Sequence, residues 1–93
     1  MARSSESYNP SRYPETIINL NSIDDVKAFV NKATQCDFEM DLASLTTRHV
    51  IDAKSIMGIF SLDLSSDIAL VAYTSPEEAG AFFEEIEEFV VNA

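Results

Sequence analysis

The sequence predicts an α+β fold, an open-faced β-sandwich of order β-α-β-β-α-β-α with a four-stranded antiparallel sheet covered on one face by helices. Three observations predict it. Short β-branched or alternating segments are interleaved with segments whose apolar residues recur at helical spacing. Two of the helical segments open on serine caps, Ser22 and Ser75. The chain has 93 residues, enough for one domain with one modest core, so the elements must share a single layer boundary.

Residues 1–15 read as a flexible arm, rich in Ser, Asn and Pro and without apolar periodicity; residues 16–93 form the predicted domain. Tyr8 and Tyr13 are the arm's candidate docking side chains. Thr16 to Leu20 is β-branched and predicts the first strand. Ser22 opens a helix as N-cap, with Asp25 at N3 resembling a capping box, and Val26, Phe29, Val30 and Ala33 make its buried stripe. Phe38 to Leu42 alternates with period two, which turns Phe38, Met40 and Leu42 to the core and Glu39 and Asp41 to water. A turn at Ser44 to Thr46 leads to a third strand, Arg48 to Asp52, paired antiparallel with the second.

Lys54 to Leu62 is short, apolar and poorly charged. Ser55 stands at its N-cap and Gly58 in its middle, where helix propensity is unfavourable. Ile56, Met57, Ile59 and Phe60 cannot all face one core from two turns, so one or two should be buried and the others exposed. Asp63 to Asp67 reads as a loop, and the apolar run Ile68 to Tyr73 as an interior strand. The last helix has Ser75 at N-cap, Pro76 at N1 and Glu78 at N3, completing a capping box. Its apolar stripe is Ala79, Phe82, Phe83, Ile86, Phe89 and Val90, opposite a face of glutamates.

Sixteen acids against six bases give a net charge of −10. That field repels phosphate backbones and anionic lipid, so nucleic acid and membrane are not expected partners. No apolar run approaches the thickness of a bilayer, and Met1 to Glu6 lacks the apolar centre of a secretory signal; the expected location is cytoplasmic. The single cysteine, Cys36, allows no internal disulfide and reads as a small apolar filler. There is no metal-ligand spacing and no Gly-rich phosphate loop, and His49 has no carboxylate spaced to form a triad. No catalytic residue, metal or cofactor is expected, and the pattern points away from an enzyme.

Over residues 16–91 the chain resembles the histidine-containing phosphocarrier (HPr) family of the bacterial sugar phosphotransferase system. The most specific piece is Ala53-Lys54-Ser55-Ile56-Met57-Gly58-Ile59-Phe60-Ser61-Leu62, which looks like the family's regulatory-serine segment. Ala28-Phe29-Val30 matches its first helix, and Phe82, Phe83 and Ile86 fit its last. The resemblance implies that Ser55 is a site of regulatory phosphorylation by a serine kinase. It also implies that Ile56, Met57 and Phe60, with Lys54 beside them, dock protein partners such as phosphotransferase-system enzymes or a transcriptional regulator. Helix capping alone would equally select a serine at 55.

At the start of the first helix the chain departs from the family. Members carry Gly-Leu-His-x-Arg-Pro, whose His accepts phosphate; aligned on Phe29-Val30, this chain has Leu20-Asn21-Ser22-Ile23-Asp24-Asp25. Ser22 falls on the His, Asp24 on the Arg and Asp25 on the Pro. Serine lacks the imidazole needed for a readily transferred phosphoryl group, and two carboxylates repel the phosphate that the Arg would hold. The expected function is therefore a non-catalytic, regulatory or protein-binding relative of the phosphocarriers. The alternative is a phosphocarrier with an unorthodox acceptor, Ser22, His49 or Ser55.

Overall fold

The computed structural model describes residues 13–91, in the order β1 (Glu15–Ile18), α1 (Ile23–Ala33), β2 (Met40–Ser44), β3 (Val50–Asp52), α2 (Ile56–Phe60), β4 (Ile68–Ala72) and α3 (Pro76–Glu85), with a short 3-10 helix at Glu87–Phe89. The expected arm therefore lies mostly outside the described residues. Its last described members join the fold: Pro14 accepts a hydrogen bond from the Ala72 N–H (3.0 Å), and the Tyr13 ring meets Tyr73 edge-on at 4.9 Å.

The strands form one antiparallel sheet in the order β1-β4-β2-β3, so apolar β4 is interior, as its composition predicts. Register follows the alternation. Ile18, Met40, Leu42, Ile68, Leu70 and Ala72 turn to one face, where Val26, Phe29 and Ala33 of α1, Ile59 of α2, and Ala79 and Phe82 of α3 complete the core. Phe29 is fully buried and meets Phe82 in a T-shaped contact, with centroids 6.2 Å apart. Ile86 and Phe89 close the same core beyond the end of α3.

Five local expectations are corrected. β1 starts one residue early and ends at Ile18; Leu20 is not a strand residue but a fully buried plug in the connection to α1. β2 runs from Met40 to Ser44 rather than from Phe38 to Leu42, because Glu39 still lies in the link from α1. Asp41 does not face water: it is 5% exposed on the side of the sheet away from the helices, where the Tyr73 hydroxyl donates to its Oδ2 (2.9 Å). A buried carboxylate needs such partners, and alternation alone cannot reveal them.

Arg48 and His49 stand in the hairpin turn rather than mid-strand. Arg48 has φ 63°, and the turn is closed by Ser44, whose Oγ accepts the N–H groups of Thr46 and Thr47 (3.2 Å each). Finally, the last helix does not continue to Val90. It stops at Glu85 with Ile86 as C-cap, and the 3-10 turn carries the chain back to the sheet edge. There Val90 bridges Ile18, Asn19 N–H donates to Phe89 O, and Val91 N–H donates to Ile17 O, each bond 2.8 Å. Continuing the α-helix would forfeit this cover over the open edge of β1.

Candidate functional site

Two helix starts carry the residues singled out by the sequence. At α1, Ser22 is the N-cap in extended conformation, and its Oγ accepts the Asp25 N–H (3.0 Å). Asp25 Oδ2 accepts the N–H of Asn21 (3.2 Å), so the reciprocal bond closes one residue upstream of the usual capping box. Asp24 and Asp25 fill the first turn. The depression beside them is also lined by Asn19, Asn21 and Glu88, and among the described residues no lysine or arginine lines it. A phosphoryl group here would meet three carboxylates and no cation, although the backbone N–H groups alone would favour an anion.

At α2 the turn out of β3 is built by Asp52, whose Oδ1 accepts the Lys54 N–H (2.9 Å) and whose carbonyl accepts the Ser55 N–H (3.0 Å). Ser55, half-buried, caps the helix: its Oγ accepts the Gly58 N–H (3.0 Å). Gly58 answers a close approach. A Cβ there would lie 3.1 Å from Ser55 Oγ and 3.3 Å from Ile51 Cβ, so a side chain would crowd both the cap and β3. We expect Ser55→Ala to cost about 1 kcal/mol in urea unfolding and Ser55→Asp, which still caps, much less. Equal losses in both would refute the capping role.

The apolar residues of α2 divide sharply. Ile59 is fully buried and Ile56 half-buried against the core, whereas Met57 is 80% and Phe60 44% exposed. Lys54, expected beside the docking residues, has a partner within the fold. It is half-buried, and its Nζ donates to the Cys36 carbonyl (3.0 Å), tying the start of α2 to the link between α1 and β2. Burial pushes the Cys36 thiol above its ordinary pKa, against the opposing pull of Lys54. His49 stands at the exposed hairpin turn, 27 residues along the chain from Ser22 and six from Ser55.

One exposed residue was missed by the sequence reading. Ile23, the first residue of α1, is 60% exposed, and α1 packs against α2. It stands three residues before Val26 and so shares the core stripe by spacing; only its place in the first turn keeps it out of the core. Ile23, Met57 and Phe60 are three of the few large apolar side chains left open to solvent. Among the described residues, no group of three or more His, Cys, Asp and Glu side chains is placed to hold a metal ion, and no helix is long and apolar enough to cross a membrane.

Three comparisons with known proteins bear on this geometry. Residues 25–92 match the family described as the PTS HPr component phosphorylation site, a span that takes in Ser55 and all of α2 and starts downstream of Ser22. No curated protein matches the chain. Among solved structures, HPr-C-His from Thermoanaerobacter tengcongensis is similar at 25% identity and TM-score 0.66, over 81% of this chain and 91% of that one. A phosphocarrier protein HPr from Bacillus anthracis is similar at 20% identity and TM-score 0.64, over 86% of this chain and 99% of that one. The Bacillus subtilis catabolite repression protein Crh, described as an intertwined dimer with a swapping domain, is 22% identical with TM-score 0.56, over 81% and 88% of the two chains. The family match covers residues 25–92, most of the described fold with the serine-capped second helix inside it, and on that ground the chain belongs to the HPr family of the phosphotransferase system.

Proposed function

We propose that this protein is a regulatory, protein-binding member of the HPr family that docks its partners through α2 and carries no phosphate on a histidine. The observation that carries the proposal is the contrast between the two helix starts. At α1, the residue aligned with the family's phospho-His is Ser22, engaged as a cap beside Asp24 and Asp25. At α2, Ser55 is retained as the cap, and Met57 and Phe60 stay open to solvent. A surface of one adaptable thioether and one aromatic ring suits partner docking, and Ile23 on the adjoining helix extends it.

In this reading Ser55 is the regulatory switch. Its phosphorylation by a serine kinase would place two negative charges at the start of α2 and beside Met57, changing partner choice without unfolding a helix that tolerates an anion at its N-terminus. The partners are phosphotransferase-system enzymes or a transcriptional regulator in the cytoplasm. No reaction is catalysed by this chain itself.

Incubation with phosphoenolpyruvate and the phosphoryl donor enzyme tests the proposal. The expected result is no acid-labile phosphate on the chain, while a kinase acting with ATP leaves acid-stable phosphate at Ser55. Acid-labile phosphohistidine at His49, or phosphoryl transfer through Ser22 abolished by Ser22→Ala, would establish the carrier reading instead.

A further inference from the structure

The C-terminal part of the chain carries a charge imbalance that its own residues do not relieve. No lysine, arginine or histidine follows Lys54, while α3 ends in Glu84 and Glu85 and the next turn holds Glu87 and Glu88, all four exposed. The carbonyl end of a helix is already negative, so carboxylates gathered there oppose folding. Solvated acids on a ridge would be unremarkable, but Glu84 and Glu87 border a recess. Phe83, Glu84, Glu87 and Val90 line a groove of about 560 Å³, and Phe83 and Val90 are half-buried beneath the carboxylates. Val90 also lines the depression beside α1, where Glu88 continues the acidic border and Val91 leaves apolar surface exposed.

We propose that this groove is a docking site for a short basic amphipathic segment of a partner protein. Its aliphatic side chains cover Phe83 and Val90, and its lysines or arginines pair with Glu84, Glu87 and Glu88. Charge complementarity selects this occupant. A second copy of the chain, at net charge −10, would bring more acids to the groove, and nucleic acid or an anionic lipid surface would bring phosphates. Small cations would neutralise the carboxylates but leave the apolar floor wet. The site is independent of the α2 surface, because no residue of α2 lines either depression.

The test is a titration of the full chain with a fluorescent peptide of alternating Lys and Leu, at physiological salt, read by anisotropy and by amide chemical shifts. The peptide should bind with shifts centred on Phe83 and Val90. Glu84→Gln with Glu87→Gln should weaken binding at least tenfold, as should replacing Leu by Ser in the peptide. Asp37→Asn with Glu77→Gln removes the same charge from exposed positions elsewhere and should change affinity less than twofold. The free E84Q/E87Q protein should also melt at a higher temperature than the parent, since crowding is relieved. Equal weakening by the two double variants, or equal affinity for the Lys/Ser peptide, would reduce the groove to a nonspecific counterion surface and overturn the proposal. So would a lower melting temperature of the E84Q/E87Q protein, which would make these acids structural.

Discussion

Met57→Ala combined with Phe60→Ala should abolish capture of an HPr-binding partner, measured by calorimetric titration against the phosphoryl donor enzyme or the transcriptional regulator. Truncating two side chains at the centre of a docking surface costs about 2 kcal/mol or more, which is a loss in affinity of about thirtyfold or greater. The free protein should hardly notice. Met57 is 80% exposed and Phe60 44% exposed, so little core contact is removed, and the unfolding midpoint should stay within experimental error. Unchanged capture by the double variant would move the docking surface elsewhere.

Phe29→Ala provides the opposite outcome. Phe29 is fully buried between the sheet and α3, in contact with Phe82. Removing the ring deletes its transfer energy and leaves a cavity that close-packed neighbours fill only in part, at about 3–5 kcal/mol. Domains of this size have a total stability of about 5–15 kcal/mol, so the urea midpoint should fall by about a fifth or more, with no cooperative transition left if the parent lies at the low end of that range. A loss under about 1 kcal/mol would mean that α1 is not seated as described. The two experiments together separate a surface residue from a core residue of the same chemical type, Phe60 from Phe29.

The fold was largely legible in the sequence because its signals are local. Ser22, Ser55 and Ser75 each cap a helix, and each is recognisable from a serine placed just before an apolar repeat. The Val26, Phe29 and Ala33 stripe and the apolar run of β4 follow from period alone. Strand limits were less legible. β2 begins at Met40 because its ladder with β4 starts at Ala72, and pairing between residues far apart in sequence leaves no local mark. Asp41 illustrates the same limit. An acid in an alternating strand reads as solvent-facing, and a partner such as Tyr73, arriving from 32 residues away, is what makes burial tolerable.

The candidate site divides in the same way. The Lys54–Leu62 pattern located α2 and its serine cap, and Ser22 with Asp25 three residues on located the start of α1. Which apolar residues stay open, however, depends on what packs over them. Ile59 is buried and Phe60, its neighbour, is exposed; Ile23 keeps the core spacing yet points out of it. Lys54 likewise gains a partner from the fold, the Cys36 carbonyl, 3.0 Å from its Nζ.

By itself, the sequence determined the element order, the helix starts and the family resemblance, because each depends on residue identity within one or two turns of chain. Only the tertiary structure decided the burial of Asp41, the anchoring of Lys54, the early stop of α3 at Glu85 and the exposed trio Ile23, Met57 and Phe60. Those features depend on contacts between segments far apart in sequence, and burial belongs to the packed surface rather than to any residue's own neighbours.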